Sequence, residues 1–375
     1  MKKVLICGNA DSIWIQRYIK NILLGGNFHV FLANACEKNR FESFYKQNNV
    51  TVIDQQPFPM SFLGKIPKIR GFLNIVGIVV ALRRYGGFDI IHIHSVNTWA
   101  LRIVNLIKTK STKIVLSYWG SDLLRKSNKS LVSERKYLYM ADCITLSTKQ
   151  MRDKFLEVYG NKYKNIIKTP LFGISAFEEI KNMKEYKTIR ECKEMLGLNT
   201  NKVTIAVGYN RISAQQHDKV LQQIGKLPSC EQAKIEIVLQ CGYGTCSSEY
   251  WQSINDISNK LLCKVIIMDK FINNTTVAAL RVAVDIFINA QITDAFSATL
   301  QEYIYAGAIT VNPTWIEYDE LDDYKIEYIK YNDIEQLPEI IIGLLKGDVN
   351  KITKNKIIAE YTSWEAVKKD WINCY

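Results

Sequence analysis

No stretch of this 375-residue chain stays apolar for long enough to cross a bilayer. The longest candidate, Phe72 to Leu82, is interrupted by Asn74 and falls well short of the roughly 20 residues a spanning helix needs. The opening residues Met1-Lys-Lys-Val-Leu-Ile-Cys7 pass straight into a strand pattern, without the apolar core and small-residue cleavage site of a secretory signal, so export is not expected. The nine cysteines include no C-x-x-C pair, and their number is odd; reduced thiols and a cytoplasmic location are the expectation. Cys241 and Cys246 lie close in sequence but have no second pair to complete a zinc site. There is no Asp-x-Asp pair to hold a divalent cation, so no metal and no bound cofactor are expected. No short repeat, low-complexity tract or nucleic-acid-binding module stands out, and the aromatics sit in periodic segments instead of a stacking stripe, which argues against nucleic acid as a partner.

What the sequence has is alternation. A hydrophobic content of 47% over 375 residues is enough for two cores. β-Branched runs alternate with helical patterns throughout, the pattern of parallel sheets covered on both faces. In the first half the predicted strands are Val4–Cys7, His29–Ala33, Val50–Ile53, Asp89–His94, Lys113–Ser117, Cys143–Ser147 and Ile166–Thr169. In the second they are Val203–Gly208, Ile235–Cys241, Lys264–Asp269, Asp285–Ala290, Ala308–Asn312 and Ile326–Tyr331. Two doubly wound α/β domains follow, at residues 1–175 and 201–358. The charged segment 176–200 is expected to be a linker, and residues 359–375 a final amphipathic helix with Thr362 or Ser363 as N-cap.

Charge is uneven. The net charge is +12, yet residues 1–175 carry 27 Lys+Arg against 10 Asp+Glu, and residues 176–375 carry 22 against 27. The basic half is expected to face something anionic. Lys65, Lys68 and Arg70 before the apolar run and Arg83 and Arg84 after it make residues 65–84 a basic amphipathic segment suited to an anionic headgroup layer; a solvated basic face beside a core helix fits the same residues.

The segment richest in chemistry is Asp294-Ala-Phe-Ser-Ala-Thr-Leu-Gln-Glu302, which sets two carboxylates eight positions apart where a loop enters a helix. Small residues at Ala295, Ser297 and Ala298 let a ligand approach the backbone, and the free N–H groups and positive dipole end of the helix favour an anion. A capped amphipathic helix feeding a buried strand would have the same pattern. The segment resembles the acidic E-x7-E motif of retaining glycosyltransferases with the GT-B architecture, two Rossmann-like domains facing a cleft, and family 4 above all. The first acid is Asp here, one methylene shorter.

Further segments resemble family 4 in the same order. Phe88-Asp-Ile-Ile-His92-Ile-His94 is similar to its D-hydrophobic-x-H-x-H strand end, Ile114 to Asp122 to its T-x-H-G-x-D turn, Glu134-Arg135 and Ala141 to Ser147 to its E-R and A-D segments, and Phe172-Gly173-Ile174 to its G-V. Trp119 stands where the family has histidine and offers only a ring face and an indole N–H. Val203 to Arg211 ends a strand at Gly208 as the family's phosphate loop does, but Ala214 occupies the lysine position, leaving Arg211, His217 or Lys219 to supply positive charge. This variant is similar to bacterial surface-polysaccharide transferases, including those for N-acetyl-fucosamine (Fuc4NAc).

The resemblance implies transfer of a sugar from a UDP-, GDP- or dTDP-sugar to a lipid-linked or oligosaccharide acceptor, by a protein peripheral on the inner face of the cell membrane, with the last helix crossing back to the first domain. It assigns Glu302 to ribose hydroxyls and Asp294 to the transferred sugar. Phe296, Ser297, Ala298 and Thr299, with Gly208 and Arg211 or His217, would hold the diphosphate. Asp11, His94, Trp119 and Asp122 fall on the acceptor side. In a retaining reaction the departing phosphate takes the acceptor's proton; an inverting one needs Asp11, Asp122 or His94 as base. An epimerase or an inactive binding protein on the same fold are the alternatives.

Overall fold

Strand after strand of this chain is a short run of Val, Ile, Leu and Phe with both faces apolar, so each must sit inside a sheet with helices above and below. The computed structural model, which describes residues 1–34, 39–54, 67–347 and 352–375, has two such sheets. The first orders its strands β3-β2-β1-β4-β5-β6-β7: β1 (Lys2–Gly8), β2 (Phe28–Asn34), β3 (Thr51–Ile53), β4 (Ile90–His94), β5 (Lys113–Ser117), β6 (Cys143–Thr145) and β7 (Ile167–Lys168). The second orders them β10-β9-β8-β11-β12-β13: β8 (Val203–Val207), β9 (Ile235–Gln240), β10 (Lys264–Met268), β11 (Ile286–Ile288), β12 (Ile309–Pro313) and β13 (Ile329–Tyr331). Among the described residues every pairing is parallel, with β1 inside the first sheet (Ile6 opposite both Leu32 and His92) and β8 inside the second (Val207 opposite Leu239 and Ile288).

The chain packs as two units, Met1–Gly173 with Trp364–Tyr375, and Ile174–Ser363. The expected linker is no bare connection. Residues Ala176–Tyr186 and Ile189–Met195 are helices, the second opened by a capping box between Thr188 and Glu191. Phe177, Ile180, Cys192 and Leu198 join the core of the second unit beside Ala278, Phe287 and Tyr303. Average composition hides this because charges occupy the outward turns while Phe177 and Ile180, three apart, form one inward stripe. A buried charge, Lys193, bonds Asp285 Oδ2 at 2.7 Å.

The final helix, Trp364–Ile372, belongs to the first unit. Trp371 is 1% exposed, and its indole N–H donates to the Leu171 carbonyl at 2.8 Å. Thr362 ends the preceding helix and donates back to the Ile358 carbonyl, so Ser363 alone takes the entry position. Gly173 is required beside this helix, since a Cβ there would lie 2.3 to 2.7 Å from Trp364.

Candidate functional site

In parallel sheets ligands gather beyond the carboxyl ends of the strands, and most of the predicted residues lie there. In the first unit β4 ends at His94 and β5 leads into Trp119 and Asp122. Asp122 fastens these two loops together: Oδ2 accepts from Val96 N at 2.7 Å and Oδ1 from Trp119 N at 2.8 Å. Burial pushes its carboxyl up to about 6 despite those bonds. Asp11, after β1, accepts from Arg40 N at 2.8 Å and is partly exposed.

His94 sits in an aromatic cage. The rings of His92, Tyr18, Trp119, Phe172 and Trp371 surround it at centroid distances of 3.8, 4.4, 5.8, 6.2 and 6.2 Å. Both its ring nitrogens, and Trp119 Nε1, are buried without a hydrogen-bond partner. Burial holds His94 down at about 3, so it is neutral and a weak base. Its neighbour His92 is tied on both sides, Nδ1 to Tyr375 Oη at 2.7 Å and Nε2 to Ser117 Oγ at 2.5 Å, and is also held well below its ordinary value by burial.

In the second unit Gly208 leaves β8 at φ +60°, and a Cβ there would come within 2.7 Å of His217 Nε2 and 2.8 Å of Gln215 Oε1, so only glycine fits. His217 opens the helix His217–Ile224. Its backbone N–H donates to the Tyr250 hydroxyl at 2.9 Å, and Nδ1 lies 3.1 Å from the same oxygen. A hydroxyl that accepts from the backbone has its own proton to give to Nδ1, which leaves the proton of the neutral ring on Nε2. Burial puts His217 at about 4. It is thus a neutral donor and not the cation that a diphosphate would want. Arg211 is also occupied: it bonds the carbonyls of Cys241 and Asp269 at 3.2 and 2.9 Å and stacks 4.4 Å over Trp251. Lys219 is exposed and donates to Gln216 Oε1 at 2.8 Å.

Asp294 and Glu302 flank the entry of the helix Ala298–Ala306, which Ser297 caps by accepting from Leu300 N. Phe296 packs on Tyr318, and Thr299 is buried in the first turn. Asp294 accepts from the hydroxyls of Tyr318 at 3.0 Å and Tyr209 at 3.4 Å through Oδ2, and from Ala295 N through Oδ1. Desolvation first and Asp294 second hold both tyrosines well above their ordinary values, so they stay protonated. Glu302 is held otherwise, by an ion pair with Arg281, Nε to Oε2 at 2.9 Å. Arg281 was not among the residues expected from the sequence. The signal was there: a single charge inside the apolar run Ala278-Ala-Leu-Arg-Val-Ala283 must find a partner if that helix face is buried.

Of the basic segment, Lys65 lies outside the described residues, as do the side chains of Lys68 and Arg70. Arg83 ends the helix Pro67–Arg83 and donates to the Leu106 carbonyl. Among the described residues no helix is long and apolar enough to cross a membrane, and no group of three or more His, Cys, Asp or Glu is set to hold a metal ion.

Residues 3–148 match the family model described as "Glycosyl transferase 4-like". No curated protein matches the sequence. Among solved structures, HepE of Anabaena in complex with UDP and glucose superposes with a TM-score of 0.72 at 13% identity, covering 100% of this chain and 99% of its own. Sucrose-phosphate synthase of Thermosynechococcus elongatus gives 0.74 at 15%, over 100% and 98%. A glycosyltransferase of Rickettsia africae gives 0.72 at 15%, over 99% and 97%. At such identities the likeness is one of fold, and it extends over both units. Residues 3–148 are thus similar to glycosyl transferase 4-like domains, and the whole chain shares the two-domain GT-B fold of the structures above.

Proposed function

We propose that the protein transfers a sugar from a nucleotide diphosphate to a lipid-linked or oligosaccharide acceptor in bacterial surface-polysaccharide synthesis, with retention, at the inner face of the cell membrane. The observation that carries the donor half is Glu302: a carboxylate one turn into a helix, paired with Arg281, with Asp294 and the N-terminal N–H groups of the same helix preceding it in the chain. The ribose falls to Glu302, the transferred sugar to Asp294, and the diphosphate to the unpaired first-turn N–H groups. HepE binds UDP and UDP-glucose, which makes a uridine nucleotide the first donor to try.

Retention is favoured by the state of the three candidate bases. His94 is a weak base in its cage, Asp122 has both oxygens on backbone N–H groups, and Asp11 is held by Arg40. With His94 neutral in its cage, and Asp122 and Asp11 fastened to backbone N–H groups, the departing phosphate is the acceptor this reading uses. The membrane role rests on the charge of residues 1–175 and on the cations of residues 65–84.

The test is incubation with labelled UDP-, GDP- and dTDP-sugars, with and without a lipid-linked acceptor, for wild type and Glu302→Gln. Acceptor-dependent transfer that falls at least tenfold in the variant is the expected result. Conversion without acceptor would make the protein an epimerase, and binding without turnover an inactive relative. For the membrane, co-sedimentation with anionic liposomes should weaken in high salt and on replacing Arg70, Arg83 and Arg84 by Glu. Binding insensitive to both would reject that role.

A further inference from the structure

Arg281 is 2% exposed, near the end of the helix Asn274–Ala283. Its Nε is spent on Glu302, and its Nη1 on Gln240 Oε1 at 3.0 Å and the Tyr303 hydroxyl at 2.9 Å. The Tyr303 ring lies 4.3 Å from the guanidinium carbon, so the group is fixed in plane and position. A buried ion pair adds little net stability, because desolvating both charges cancels most of their attraction. Folding alone does not account for it.

The pair is unfinished on one side. The Nη2 amino group of Arg281 donates to no described residue, and Oε1 of Glu302 accepts from none. A rigid N–H donor and a rigid carboxylate acceptor thus belong to one ion pair. A phosphate would meet the repulsion of Glu302. Two neighbouring hydroxyls fit both halves, one donating to the carboxylate while the other accepts from the guanidinium.

We infer that Arg281 and Glu302 form one receptor for a vicinal diol, that of the donor's ribose, and that Arg281 thereby selects ribonucleotides over 2′-deoxyribonucleotides. This rests on the donor-site reading of Glu302, and it ranks UDP- and GDP-sugars above dTDP-sugars.

Calorimetric titration with UDP and GDP and with their 2′-deoxy forms tests it, on wild type, Arg281→Lys and the double variant Arg281→Met with Glu302→Met. Wild type should prefer the ribonucleotide about tenfold or more, the size of one hydrogen bond to a charged group. Arg281→Lys keeps a cation but not the fork, and should erase most of that preference. The double variant removes both charges together, so it should unfold cooperatively in urea like wild type and show no preference. Equal wild-type affinity for ribo and deoxy forms overturns the inference. So does an Arg281→Lys variant that weakens both equally and keeps their ratio, which would make Arg281 a phosphate ligand or a brace. Wild type that binds neither nucleotides nor UDP-glucose rejects the donor-site reading itself, and this inference with it.

Discussion

Two carboxylates eight residues apart are kept by different means, and their variants should fail differently. Glu302 answers to a cation, Asp294 to two neutral hydroxyls. Asp294→Ala leaves the hydroxyls of Tyr209 and Tyr318 without this acceptor; an unsatisfied buried polar group costs about 1–3 kcal/mol. Urea denaturation should show a loss in that range, and Asp294→Asn, which retains an oxygen, should recover most of it while activity stays low. Equal stability of the Ala variant and wild type would show that the tyrosines have other acceptors. The sequence made the carboxylates visible because their spacing is local. It marked Arg281 only as a lone charge in an apolar run, and it could not pair the carboxylates with Arg281, Tyr209 or Tyr318, which reach them from distances of 21, 85 and 24 positions along the chain. It also could not show that His217 is neutral, since that depends on Tyr250, a partner 33 residues away.

Elements were legible where one periodicity rules. All thirteen expected strands are present, and the inner ones, such as Ile90–His94 and Ile235–Gln240, are largely apolar runs buried on both faces that have few other places to go. The segment 176–200 was not, since two short helices with a narrow apolar stripe have the composition of a linker. The helix Ala298–Ala306 depends on its cap. Ser297→Ala should cost about 1 kcal/mol of stability by loss of the bond to Leu300 N. Because that turn also presents the N–H groups proposed for the diphosphate, UDP affinity should fall with it; a stability loss with unchanged affinity would separate the cap from the ligand. At the other end of the chain, Trp371→Ala removes a large buried side chain packed on Tyr18 and Phe172, and about 3–5 kcal/mol is expected. Thermal unfolding followed by tryptophan emission measures it, and a loss below about 1 kcal/mol would mean that this helix is dispensable to the first unit.

At the scale of the whole molecule, buried neutral histidines make folding sensitive to acid, and they are unevenly shared. The first unit holds His92 and His94, the second His217. All three have folded-state values depressed by burial, with His94 at about 3 and His217 at about 4, while the unfolded chain titrates near 6.5. Below about 6.5 the unfolded state therefore takes up protons that the folded state refuses. Their contribution is full above that pH and is lost as pH falls toward the folded values. Every tenfold by which burial weakens a histidine's hold on its proton is worth about 1.4 kcal/mol, so the two histidines of the first unit should make it the first to open in acid. Five of the seven tryptophans, Trp14, Trp99, Trp119, Trp364 and Trp371, lie in that unit, so their emission reports it. His94→Phe keeps a ring within the cage of Tyr18, Trp119, Phe172 and Trp371 but binds no proton, and should lower the pH midpoint of the emission change. A midpoint unmoved by His94→Phe, in a variant as stable as wild type at pH 8, would place the acid sensitivity elsewhere, in the mutual repulsion of a chain that already carries a net charge of +12.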